Sequence, residues 1–117
     1  MRKRKTVEEK PWGTSEVLEE RKLYKLKEMV VKPGERFSYQ SHHQRTEILT
    51  VVSGEGIITL EDQELDVFPG RSFFIPKEAK HRVQCNGKKP LVLVELQVGN
   101  NLSEKDIVRY DDDYGRE

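Results

Sequence analysis

From Leu23 onward, apolar and polar residues alternate in short runs, each closed by glycine, proline or small polar residues. Successive strand side chains point to opposite faces, so such runs read as strands with one buried side. The pattern predicts strands over Leu23–Val31, Arg36–His42, Ile48–Val52, Gly56–Leu60, Glu64–Val67, Ser72–Ile75, His81–Cys85 and Leu91–Val98. Ser53-Gly54-Glu55-Gly56, Glu61-Asp62-Gln63 and Pro69-Gly70 read as the hairpin turns between them. Gln44-Arg45-Thr46 reads as a polar turn ahead of Ile48, and Asn100–Asp106 as one helical turn capped by Ser103. Eight strands with little helix imply an all-β fold, an antiparallel double sheet of jelly-roll type. Residues 1–10 are expected to form a basic tail and residues 11–117 a single domain.

Two of these stretches carry polar residues where a strand would normally point aliphatic ones. Ser38, Gln40 and His42 share one face, Glu47 stands at the mouth of the next strand, and His81 opens another. An amide oxygen, two imidazoles and a carboxylate are a chemically suitable donor set for one divalent ion, so Gln40, His42, Glu47 and His81 are the candidate metal ligands. Gly34, Gly54 and Gly70 fall at turns that need positive φ. His43 alternates away from His42 and is expected to face outward. Glu95 and Gln97, on one face of an otherwise apolar strand, point either into a cavity or out to water, the outward direction being the expected one. Trp12 reads equally as a core residue or as a platform for a sugar ring.

The spacing resembles the paired motifs of the cupin superfamily. Gly34 is followed after five residues by Gln40, then by His42, Glu47 and Gly54; further on, Gly70 leads after five residues to Pro76 and then to His81. Many cupins have histidine in place of Gln40, Glu78 replaces a usual glycine, and Asn86 falls one residue later than is common. A closer resemblance, on Pro11-Trp12-Gly13, the run Pro33–Glu47 and Asp112-Asp113-Tyr114-Gly115-Arg116, is to the type II mannose-6-phosphate isomerase domain, which in bacteria commonly forms the C-terminal part of a bifunctional protein with mannose-1-phosphate guanylyltransferase. That family usually has a third histidine where Gln44 stands and another where Ile48 stands.

The resemblance implies a cupin jelly roll with one divalent metal, zinc foremost with cobalt, manganese, nickel or iron as alternatives, and a phosphorylated sugar as substrate. It implies an aldose–ketose isomerase interconverting mannose 6-phosphate and fructose 6-phosphate. A metal-dependent oxidoreductase of dioxygenase type, or a non-catalytic sugar-binding or regulatory module, are the alternatives. Phosphate recognition needs cations and hydroxyls, for which Ser38, Lys27, Arg45 and Arg116 are the candidates. No residue is assigned as the proton-transferring base. With no glycine-rich phosphate loop opening a helix, guanylyltransferase activity is not expected of these 117 residues.

Composition narrows the setting. Charged residues make up 36% of the chain with a formal net charge of zero, the mixture of a surface laced with ion pairs, as in heat-tolerant proteins. The one basic run, Arg2-Lys3-Arg4-Lys5, meets Glu8-Glu9 and lacks interleaved aromatics, so it reads as a solvated tail and no nucleic-acid partner is expected. Cys85 is the only cysteine, which excludes an intramolecular disulfide and reads as a buried structural thiol. No apolar run approaches the roughly 20 residues of a membrane span, and a cytoplasmic protein without a membrane partner is expected. A homodimer, with an N-terminal strand exchanged to cover a sheet edge, is the expected assembly.

Overall fold

The computed structural model describes residues 7–116, which contain eleven strands and no helix. Strands β1 (Val7–Lys10), β2 (Gly13–Glu20), β3 (Tyr24–Val31), β10 (Leu91–Gly99), β5 (Arg45–Ser53) and β8 (Ser72–Ile75) form one sheet in the order β1-β2-β3-β10-β5-β8. Strands β11 (Val108–Asp111), β4 (Tyr39–Ser41), β9 (His81–Cys85), β6 (Gly56–Leu60) and β7 (Gln63–Val67) form the second, in the order β11-β4-β9-β6-β7. Every pairing is antiparallel. The two sheets face one another as a jelly roll.

The central strands match the alternation, and the differences lie at the ends. Part of the expected tail, Val7–Lys10, is strand, pairing with β2 of the same chain; the basic run at residues 2–5 lies outside the described residues. The expected strand at 36–42 shrinks to an isolated bridge between Arg36 and Gln84 followed by β4. Conversely β5 begins at Arg45, so Arg45 and Thr46 belong to a strand and not to a turn: β10 pairs with them through Gly99 and Val98. The segment around Ser103 makes a single turn, closed by Asp106 N–H donating to Ser103 O at 3.1 Å, while Ser103 Oγ accepts from Lys105 N–H.

The facing sides of the sheets split along their length. At one end Leu91, Leu93, Val31, Met29, Leu49, Val51, Ile58, Val67, Val83 and Cys85 pack as a continuous apolar core. Gly54 closes the adjoining turn at φ 91°, where an added Cβ would meet Pro90 O at 2.6 Å. Toward the other end the same inward positions become Glu95 and Gln97 on β10, Lys25 and Lys27 on β3, and Arg45 and Glu47 on β5, all buried. Glu95 and Gln97 therefore point inward, contrary to the alternation reading. Their outward neighbours are the apolar ones: Phe74, Ile48, Leu96 and Leu26 lie in one register row across β8, β5, β10 and β3.

Candidate functional site

At the polar end three donors converge. His42 follows β4 in a short loop, Glu47 sits two residues into β5, and His81 opens β9; their ligand atoms all lie within 4.8 Å of one another. Glu47 Oε2 is 3.4 Å from His42 Nε2, and Glu47 Oε1 is 3.3 Å from His81 Nε2. Backbone carbonyls orient both rings: His42 Nδ1–H donates to Asp106 O at 2.6 Å and His81 Nδ1–H to Ala79 O at 3.0 Å. With Nδ1 of each ring on a backbone carbonyl, Nε2 of each ring is turned toward the carboxylate, and it is through this nitrogen that each histidine would ligate a metal.

Arg45 fills in around this cluster, donating from Nε to Glu47 Oε2 at 2.8 Å and from Nη2 to His42 Nε2 at 3.2 Å. Glu47 Oε1 nevertheless accepts no hydrogen bond. Burial opposes ionisation of Glu47, but the His81, His42 and Arg45 charges outweigh it and hold its carboxyl well below the usual range. Burial likewise opposes protonation of His81, yet contact with Glu47 raises its pKa, whereas in His42 burial prevails and lowers it. Two imidazoles whose Nε2 atoms converge on a carboxylate that stays ionised despite burial are a donor set suited to a divalent cation, which would take the place of the Arg45 contact to His42 and of the second proton on His81.

Gln40 is the fourth sequence candidate. Its Cα lies opposite that of His81 in the β4–β9 register, and its Nε2 donates to Ser38 Oγ at 2.8 Å. The amide is thus anchored through nitrogen, and its oxygen is the atom suited to a cation. This also redefines Ser38: fully buried, its hydroxyl accepts from Gln40 and positions it rather than facing a cleft. His43 is exposed, as the alternation implies.

A cavity of about 70 Å³ adjoins the cluster, with Gln40 and His42 in its wall. Five cations line it, Lys10, Lys27, Arg45, Arg109 and Arg116, against two carboxylates, Glu95 and Glu104. Lys27, Arg45 and Arg116 were sequence candidates, and each is held by an acid. Lys27 Nζ meets Glu104 at 3.3 Å, Arg45 meets Glu47, and Arg116 grips Asp112 with two bonds of 2.9 Å. Arg45 and Lys27 are buried, not surface charges. Trp12 serves as core and wall at once, edge-on to Phe37 at 5.7 Å between centroids.

Residues that the sequence reading missed complete the site. Burial and the nearby Glu47 charge push the Glu95 carboxyl up to about 8, opposed by Lys27, Arg45 and the Gln97 amide that donates to Oε1 at 2.7 Å. The segment from Leu102 to Asp106 seals this end: Leu102 O accepts from Lys25, Ser103 O from Arg45, Glu104 from Lys25 and Lys27. Asp106 accepts the backbone N–H groups of His43 and Gln44, both at 2.9 Å, and so fixes the loop that carries His42. Glu95 and Gln97 were visible in the sequence as polar residues on one face of an apolar strand, with their direction misjudged, whereas the Leu102–Asp106 segment carried no comparable signal.

Comparison with known proteins agrees with this arrangement. The family described as mannose-6-phosphate isomerase C-terminal matches residues 2–112. The xanthan biosynthesis protein XanB of Xanthomonas campestris is 41% identical over 107 residues, 92% of this chain. The chain spans only 23% of that relative's length. Among solved structures, a candidate sugar phosphate isomerase from Acidithiobacillus ferrooxidans superposes with a TM-score of 0.61 at 26% identity, covering 65% of this chain and 50% of that one. An RmlC-like cupin from Shewanella frigidimarina, 18% identical, shares the fold with a TM-score of 0.73 over 87% of each chain. The chain is a cupin and belongs to the mannose-6-phosphate isomerase C-terminal family.

Proposed function

We propose that this chain is a metal-dependent sugar-phosphate isomerase that interconverts mannose 6-phosphate and fructose 6-phosphate. One observation carries the reading: a buried cluster of two imidazoles and a carboxylate abuts a cavity whose wall holds five cations against two acids. The family match and the isomerase description of a structural relative support the same chemistry.

Going from aldose to ketose moves a proton from C2 to C1 and another from O2 to O1, with no external oxidant or reductant. His42, Glu47 and His81, with Gln40 beside them, would hold a divalent cation, which when bound supplies a Lewis acid for the carbonyl and neighbouring hydroxyl oxygens. Glu95 is placed to carry the carbon-bound proton. Its carboxyl lines the cavity, and burial there favours its protonated form, so that it would serve as a proton carrier and not as a fixed charge. Gln97 steadies the carboxyl through Oε1. Trp12 and the Leu102–Asp106 segment restrict water at this end of the barrel.

Two histidines and a carboxylate also build oxygen-activating iron sites, but Arg109, a cation on the cavity wall with no acid partner among the described residues, favours an anionic substrate. A coupled assay of mannose 6-phosphate conversion, with Zn, Co, Mn, Ni or Fe added singly, tests the reading. Turnover that a chelator abolishes is expected. Absence of turnover with every metal, or oxygen uptake in place of isomerisation, overturns it.

A further inference from the structure

We propose that Arg109 is the phosphate-binding residue of this cavity, taking the monoester end of a sugar phosphate whose carbonyl end lies toward His42, Glu47 and His81. Each of the other cations in the wall already has an acid: Lys27 has Glu104, Arg45 has Glu47, Arg116 has Asp112, and Lys10 has Glu8 at 3.8 Å. The Arg109 side chain has neither a hydrogen bond nor an ion pair among the described residues, and its Nε is sealed from solvent without a partner. A guanidinium nitrogen withdrawn from water and left unpaired is costly. Arg109 is therefore the wall cation with donors left over for an anion, and the planar fork of arginine suits two phosphate oxygens at once.

Position in the sheet supplies the second argument. Arg109 on β11 lies opposite Gln40 on β4, and Gln40 lies opposite His81 on β9. Residues directly opposite share a face, so Arg109, Gln40 and His81 form one row on the cavity side, with Arg109 and His81 two strand spacings apart, about 10 Å. That separation is the length scale of a six-carbon sugar phosphate held at its carbonyl by one end of the row and at its phosphate by the other. A sugar lacking phosphate would leave Arg109 unpaired and bind worse, so this residue sets the preference for phosphorylated substrates.

The identity of the sugar rests on the isomerase reading; the phosphate site does not. Calorimetric titration of the full chain with inorganic phosphate and with fructose 6-phosphate, for wild type, Arg109→Gln, Arg109→Lys and Lys10→Gln, separates the two. Arg109→Gln is expected to weaken both ligands 10- to 100-fold, Arg109→Lys less because an ammonium restores charge without the fork, and Lys10→Gln least. In the coupled assay the loss from Arg109→Gln falls mainly on KM. Phosphate binding that depends on Arg109 in a protein without isomerase turnover would refute the isomerase reading and leave this proposal standing. Wild type that fails to bind phosphate, or Arg109→Gln and Lys10→Gln that lose affinity equally while retaining wild-type circular dichroism, would overturn it.

Discussion

Leu93 and Glu95 are two residues apart on β10, face the same interior and are both buried, yet they belong to different kinds of protein interior. Around Leu93 the register brings Met29 and Val51; around Glu95 it brings Lys27 and Leu49, and one step further Gln97 meets Glu47 and Lys25. The apolar half gains from removing hydrocarbon from water, at roughly 25 cal/mol per Å². In the polar half, ionisable groups lose their hydration and recover it only in part through one another. Among the described residues, three of the four buried polar atoms without a partner lie there, Glu47 Oε1, Gln97 Oε1 and Arg109 Nε, while the fourth, Ser15 Oγ, sits at the border, opposite Met29. One half of the sandwich holds the fold together; the other is held together by it.

The comparison predicts effects of decreasing size. Leu93→Ala should lower unfolding free energy by about 2–5 kcal/mol, the range for a large-to-small change in a core, and denaturant titration should find the same loss with or without metal. His81→Ala should do the reverse. Metal affinity should fall at least about 100-fold, since even supporting partners of ligands are worth 10–100-fold, while the metal-free protein should lose less stability than Leu93→Ala. Equal stability losses in the two variants, with metal affinity retained in His81→Ala, would erase the distinction between the halves.

The polar half should also show in the pH dependence. The Glu95 carboxyl holds its proton up to about 8 in the folded protein against an ordinary value of 4.5, so the folded state binds more protons between those values. Stability should therefore decline as pH rises from about 4.5 to about 8, by up to about 1.4 kcal/mol per pH unit. Glu95→Gln should flatten that decline, which thermal unfolding across the window would register; Leu93→Ala should not.

The smallest effect concerns the loop leading to His81. Glu78 adopts φ 69°, and its N–H donates to His42 O at 2.7 Å. A side chain in the left-handed region costs about 1–2 kcal/mol, and glycine gives back about 0.5–1 in chain entropy. Glu78→Gly should then stabilise by no more than about 1.5 kcal/mol, seen as a rise in Tm. A fall in Tm would show that the Glu78 side chain contributes contacts of its own.

Much of the apolar half was legible in the sequence, because period-two alternation and turn residues are local. The spacing of His42, Glu47 and His81 marked the donor set for the same reason: each stands at a recognisable strand end. Alternation distinguishes two faces of a strand without saying which is inside. In β10, Glu95 and Gln97 alternate with Leu96 and Val98, and polarity alone turns the carboxylate outward. The inward choice depends on Lys25, Lys27, Arg45 and Glu47, contributed by strands distant in sequence, and on the Leu102–Asp106 segment that closes over them. The same cause hid the β-strand character of Arg45, whose charge suggests a turn until its partners are in place. Arg109 carried no signal, since its significance is the partner it lacks.

Anomalous X-ray diffraction from crystals of the protein loaded with one equivalent of zinc or cobalt tests the metal centre most directly. A single peak bonded to His42 Nε2, His81 Nε2 and the Glu47 carboxylate is predicted. No peak among those three groups, or one bound elsewhere with Glu47 still engaged only by Arg45 and the two rings, would contradict it.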